Sequence, residues 1–170
     1  MQPHWAALAV LTAARTSLGF QFQSLASASP AVVEQLGLSY GDLGTLIGLY
    51  FLPGVVMALP GGALGRRFGD KRVVAFGLVL MLAGGGLASL ARDFAGLAAG
   101  RVLSGVGGVL LNVVMAKMVT DWFAGRREIV LAMAVFVNSF PIGVGLAVLT
   151  LGPLADAAGW PASLAASAAL

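Results

Sequence analysis

The sequence predicts an all-α membrane protein whose helices cross the bilayer several times. Three observations carry that expectation. Of the 170 residues, 59% are hydrophobic and only 10% are charged, whereas soluble domains are nearer half apolar and a quarter charged. The mean hydropathy is +0.94. The apolar residues are gathered into runs close to the ~20 residues that a helix needs to cross roughly 30 Å of hydrocarbon. A soluble chain of this length could not hide so much apolar surface, because small domains leave much of their area exposed. The 24 glycines agree, since small residues let membrane helices approach closely.

Five segments have the required length and character, near Trp5–Leu25, Leu43–Leu64, Val73–Leu90, Phe94–Val119 and Ile129–Leu151. In the first, Ala26-Ser27-Ala28 imitates a leader cleavage site. No basic residue precedes the apolar run, however, and Arg15 interrupts it, so the segment reads as a retained span. The second carries Pro53 and Pro60, and the fifth carries Asn138 and Pro141. Proline inside a span frees a carbonyl and permits a kink, and asparagine can hydrogen-bond between helices or reach a solute. A sixth segment begins after Gly159-Trp160-Pro161 and reaches Leu170. About ten residues make some 15 Å of helix, half a bilayer. The expectation is five full membrane helices and the start of a sixth, in a chain truncated inside helix six.

Charge sets the orientation. Arg66, Arg67, Lys71, Arg72, Arg126 and Arg127 fall in the second and fourth loops, with Lys117 close by, while Arg92 alone falls on the other side. That asymmetry places the N-terminus in the cytoplasm of a multi-pass inner or plasma membrane protein. Because the cations flank apolar stretches rather than forming a groove-sized patch, nucleic-acid binding is set aside. The absence of cysteine removes disulfides, thiol catalysis and thiolate metal sites. His4, near a free end, reads as a solvated terminal residue. No metal or cofactor site is expected.

Two cations stand inside the spans. Arg15 lies at the middle of the first and Arg101 in the outer half of the fourth, and such residues usually face a cavity or a partner. Thr12, Arg15, Thr16, Gly19 and Gln23 share one face at helical spacing, as do Arg101, Ser104, Gly105, Gly108 and Asn112. The two stripes suggest a common aqueous pathway, against which snorkelling of Arg101, its pairing with Asp93, or plain glycine packing are the simpler readings. Tyr50, Phe51 and Phe140 fit either the wall of a pathway or a lipid face. No acidic residue lies deep in any span, so an acidic proton relay and a carboxylate sodium site are not expected here. Two buried cations without buried anions favour an anionic substrate held by guanidinium forks, with Arg15, Gln23, Arg101, Asn112 and Asn138 as the candidate binding residues.

The junction Gly61-Gly62-Ala63-Leu64-Gly65-Arg66-Arg67-Phe68-Gly69-Asp70-Lys71-Arg72-Val73 resembles the signature loop between helices two and three of the major facilitator superfamily. The matching positions are Gly62, Leu64, Gly65, Arg67, Gly69 and Lys71; Arg66 stands in the usual acidic slot and Asp70 in a usually basic one. In the family that acidic residue helps latch one half of the transporter to the other, so Gly62, Arg66, Arg67, Gly69, Asp70 and Lys71 are the expected gating loop. Arg101-Val102-Leu103-Ser104-Gly105-Val106-Gly107-Gly108 is similar to the family's fourth-helix pattern. Asp121-Trp122-Phe123 with Arg126-Arg127-Glu128 looks like the loop into helix five, and Gly152-Pro153 with Gly159-Trp160 like the turn into helix six. Arg15 together with Leu52-Pro53-Gly54 and Leu59-Pro60-Gly61-Gly62 resembles the cyanate/nitrate-related anion transporters of that superfamily.

The resemblance implies a major facilitator fold with residues 1–170 as the N-terminal helical bundle of a two-half transporter. It also implies alternating access about a midplane site, with a second half as partner in addition to lipid and a small solute. The competing expectation is a membrane-embedded sensor or assembly subunit with the same fold and no transport. An ion channel would show conductance far above carrier turnover. An enzyme is disfavoured, because no clustered His, Cys or carboxylate set and no phosphate-cradling loop occurs.

Overall fold

The expected spans are helical except for a two-residue interruption in the second. The computed structural model describes residues 3–170, and within them the side chains of all but residues 3 and 58–60. The helices are α1 (Pro3–Ser27), α2 (Ser29–Leu36), α3 (Tyr40–Leu49), α4 (Leu52–Phe68), α5 (Asp70–Ser89), α6 (Phe94–Trp122), α7 (Ile129–Ala158) and α8 (Trp160–Ala169), with no strand among the described residues. By length and apolarity alone, Tyr40–Met57, Asp70–Ser89, Phe94–Trp122 and Ile129–Ala158 can each cross a membrane. The 25-residue α1 has the length, but Thr12, Arg15, Thr16, Gln21 and Gln23 dilute its apolar character.

The ends of the helices are locally encoded. Ser39 caps α3 in a capping box, its hydroxyl accepting from the Asp42 N–H at 3.1 Å while Asp42 Oδ2 accepts from the Ser39 N–H at 2.9 Å. Asp93 caps α6 by accepting from the Gly96 N–H at 2.8 Å, which takes it away from the pairing with Arg101 that its sequence position allowed. At the α4–α5 junction Gly69 has φ +89, a left-handed turn that costs side-chain-bearing residues energy and glycine none.

The second expected span is not one helix. It breaks at Tyr50 and Phe51, between α3 and α4. Pro53, in the first turn of α4, has no N–H with which to continue the helix of α3. The Tyr50 N–H turns to the Ile47 carbonyl (3.3 Å) and the Phe51 N–H to that of Gly48 (2.9 Å). Pro141 and Pro153, by contrast, are accommodated inside α7. The kink expected at Pro60 concerns a side chain outside the described residues.

Helix α6 runs through the middle of the bundle and touches α1, α3, α4, α5 and α7. Its Leu110, Leu111, Val114 and Met115 are buried with Leu8 and Leu11 of α1 and Phe136 of α7. Helices α5 and α6 meet backbone to backbone. A Cβ added at Gly100 would lie 2.7 Å from the Gly84 carbonyl oxygen, and one at Gly107 would strike the Gly77 carbonyl. Helices α1 and α7 meet likewise, Gly143 against the Thr16 carbonyl and Gly19 against that of Phe140. Of the glycine run in α5, Gly84 and Gly85 are packing positions, whereas Gly86 faces open space.

The two ends of the bundle differ in charge. Lys117 Nζ lies 2.7 Å from Asp70 Oδ2, which brings the basic α4–α5 junction to the C-terminal part of α6. The start of α1 reaches the same end. The His4 ring lies 5.1 Å from that of Phe123 and 5.8 Å from that of Trp5, and His4 is only 6% exposed. The expectation of a solvated His4 is thereby corrected, because α1 begins early enough to lay it on the base of α6. At the other end Gln35, Arg92 and Trp160 border one cleft, and the Trp160 indole N–H donates to Gln35 Oε1 at 3.0 Å.

A candidate solute site on one face of the bundle

A cavity of about 240 Å³ opens beside the break between α3 and α4, lined by Arg15 and Leu18 of α1, Tyr50 and Phe51 of the break, Gly108, Val109 and Asn112 of α6, and Phe140 of α7. Arg15 is the thirteenth residue of α1, counting from Pro3 (15 − 3 + 1), and so stands at its midpoint. Its guanidinium carbon lies 4.6 Å from the centroid of the Phe136 ring and 6.0 Å from that of Phe140. Aromatic faces stabilise a cation without neutralising it. One terminal nitrogen of Arg15 donates to Asn112 Oδ1. With that oxygen occupied, Asn112 has its NH₂ group left to offer, a donor. The Nε of Arg15 is buried without a partner, and so is the hydroxyl of Tyr50.

Four rings gather around this cavity. Phe22 of α1 lies 4.9 Å from Phe51, 5.4 Å from Tyr50 and 5.8 Å from Phe140, centroid to centroid. The break delivers two of them, Tyr50, which is buried, and Phe51, which is exposed where it lines the cavity. Helix α6 makes room with glycine. A side chain at Gly105 would strike the Tyr50 carbonyl, and one at Gly108 would come within 2.7 Å of the Tyr50 hydroxyl.

The structure sorts the sequence-derived residues unevenly. Arg15 and Asn112 are brought together in the cavity, although 97 residues separate them. Arg101 is not a cavity residue. It is 3% exposed, its NH2 group donates to the Phe22 carbonyl at 3.1 Å, and its Nε reaches the Leu46 carbonyl at 3.4 Å. Its guanidinium carbon sits 4.6 Å from the Tyr50 ring centroid. The expected opening of Arg101 onto a pathway gives way to a clamp across α1, α3 and α6, because the α3–α4 break offers a ring and a carbonyl within its reach. Gln23 is half-buried and not part of the cavity lining. Asn138 is exposed and donates to the Ala134 carbonyl of its own helix at 2.8 Å. It lies two residues from both Phe136 and Phe140, hence on the far side of α7.

Sequence reasoning passed over Phe22 and Phe136 as neighbours of the site. Phe22 follows Arg15 by seven residues and Phe136 precedes Phe140 by four, spacings that put each pair on one helical face. It also passed over Gln21, whose amide donates to the Met81 carbonyl at 2.8 Å and ties α1 to α5.

The expected gating loop is solvent-facing where it is basic. Arg66, Arg67 and Lys71 are exposed, and Arg67 lies 5.4 Å from the Phe68 ring. Gly62 is half-buried and Gly69 makes the turn. Asp70 folds back to Lys117, which is shared with Asp121 at 2.9 Å. No group of three or more His, Cys, Asp or Glu able to hold a metal occurs among the described residues.

The family model described as Major Facilitator Superfamily matches residues 11–170. Among the solved structures that match is a crystal structure of a mutant peptide transporter POT in complex with alafosfalin, with a TM-score of 0.77 and 20% sequence identity. The alignment covers 94% of this chain and 34% of that one, so the chain spans about a third of that transporter's length. At this identity the likeness is one of fold. No curated protein matches the chain in sequence.

Proposed function

Because the chain belongs to the major facilitator superfamily, we propose that it is the N-terminal half of a secondary transporter that moves a small anion by alternating access. The observation that carries the anion reading is Arg15. It sits at the midpoint of a membrane helix, on the wall of a cavity, with a carboxamide and aromatic rings as partners and no carboxylate among the lining residues. A guanidinium left with a buried free N–H at such a depth is strongly favoured to take an anion. The likeness of Arg15 and the second-span proline–glycine pairs to cyanate/nitrate-related anion transporters supports a negative charge on the substrate and says nothing of its body.

In this reading the substrate-binding residues are Arg15 and Asn112, aided by Tyr50, while Arg101 holds the frame. A second helical bundle, from the same or another chain, closes the cavity from the opposite side. The basic end of the bundle, with the start of α1, faces the cytoplasm of an inner or plasma membrane. The loop containing Gly62, Arg66, Arg67, Gly69, Asp70 and Lys71 gates at that face.

The test is uptake of radiolabelled small anions into proteoliposomes containing the native protein. Saturable, competable anion flux that is abolished by Arg15→Ala is the expected result. Flux of neutral or cationic solutes with indifference to anions would overturn it, and anion binding without any flux would favour the sensor alternative.

A further inference from the structure

We propose that the Arg15 cavity selects organic monocarboxylates with a flat apolar body, aromatic acids above all, over inorganic anions and over zwitterions. This inference rests on the anion reading of the same site and specifies its substrate class. The polar groups of the cavity are concentrated and of one kind. Arg15 and the Asn112 amide, joined by their own hydrogen bond, offer N–H donors at one corner, where the two oxygens of a carboxylate can be held together. The remaining lining is Leu18, Val109, Gly108 and three aromatic residues. A compact hydrated anion would fill only the donor corner and leave the rings facing nothing it can use.

The rings are arranged as walls. Phe51 and Phe140 both stand near Phe22, at 4.9 and 5.8 Å, within the 4.5–7 Å range over which aromatic groups attract one another. Phe51 is 55% exposed where it lines the cavity, and a planar ligand would cover it. Tyr50 is 4% exposed with an unpartnered hydroxyl beside Gly108. Gly108 precedes Asn112 by one turn of α6, about 6 Å along the helix, so the hydroxyl addresses the body of a ligand whose carboxylate is on Arg15.

Two limits follow. The part of the cavity that this bundle forms, about 240 Å³, is smaller than the ~300–1,000 Å³ pockets that hold drug-sized ligands, and leaves room against this wall for about one ring. No Asp or Glu of this bundle lines the cavity, so an α-ammonium group beside Arg15 would find no partner on this wall and meet like-charge repulsion.

The experiment is calorimetric titration of the purified native protein with benzoate, cyclohexanecarboxylate, nitrate and phenylalanine. It is repeated on Arg15→Lys and Phe51→Leu. Benzoate is expected to bind at least tenfold more tightly than nitrate or phenylalanine. Phe51→Leu, at a residue 55% exposed and with a melting curve run alongside, is expected to weaken benzoate about threefold to tenfold and to leave cyclohexanecarboxylate within twofold. Arg15→Lys is expected to weaken both. Nitrate binding as tightly as benzoate, with both lost in Arg15→Lys, would overturn this inference and leave the anion reading intact. Phenylalanine binding as tightly as benzoate would also overturn it. If no anion binds in an Arg15-dependent manner, the anion reading itself fails.

Discussion

The guanidinium of Arg101 lies 4.6 Å from the centre of the Tyr50 ring while donating to the carbonyls of Phe22 and Leu46. A buried cation is here matched by dipoles and a π face rather than by a carboxylate. Leu46 is the residue whose carbonyl the Tyr50 N–H would meet in an unbroken helix; that N–H turns to Ile47 instead. Arg101 thus fastens the interruption that brings Tyr50 and Phe51 to the cavity.

Arg101→Ala is therefore expected to act on folding first. It removes two hydrogen bonds from a charged donor and a cation–π contact, a loss of about 2–4 kcal/mol. A fall in the detergent-solubilised melting temperature checks this. Arg101→Lys should recover less than half of the fall, because an ammonium on a flexible stem cannot serve two separated carbonyls and a ring together.

Asn112→Asp is expected to separate stability from binding. The carboxylate would pair with Arg15 and occupy the donors that an incoming anion needs, so anion affinity should drop at least tenfold while thermal stability is kept or raised. Calorimetric titration alongside a melting curve reads both. Unchanged affinity would remove Asn112 from the site.

Asp70 and Lys117 form a partly exposed pair, with 23% and 34% of their side chains accessible. Asp70→Asn should lower the melting temperature at low ionic strength, and the difference should shrink in molar salt as the charges are screened. The double change Asp70→Asn with Lys117→Gln should cost less than the sum of the two single changes. Additive effects of the two single changes would show that the pair is not coupled.

Gly105→Val and Gly86→Ala make a matched contrast. A side chain at Gly105 runs into the Tyr50 carbonyl, whereas one at Gly86 meets nothing within 4 Å. The first should prevent accumulation of folded protein or destabilise it by several kcal/mol, and the second should be neutral or slightly stabilising, since alanine is the better helix former. Yield and monodispersity on size-exclusion chromatography distinguish them.

The helical bundle was legible in the sequence because span length and loop charge are one-dimensional signals. The expected spans Phe94–Val119 and Ile129–Leu151 begin at the first residues of α6 and α7. Arg15 was legible as a cavity residue for the same reason, since its depth in the span follows from counting. Arg101 was not, because its fate depends on a carbonyl and a ring supplied more than 50 residues away. Nor was the break at Tyr50, since Pro53 interrupts its helix while Pro141 is absorbed within α7. Local sequence names the proline but not the neighbouring backbone that accommodates it.

The glycine-on-glycine seam between α5 and α6, joined by only four residues from 90 to 93, has a bearing on how the protein is made. The two helices are consecutive and interlock with one another, so they can consolidate as soon as Trp122 has entered the membrane. Helix α1 must wait for α7, its main partner. Arg15 thus spends the synthesis of the 97 residues up to Asn112, and of the further stretch to Phe140, without its eventual companions. A lone arginine at mid-span costs about 2.5–3.5 kcal/mol on insertion scales. The emerging α1 is accordingly the part of this chain that most needs custody from the insertion machinery.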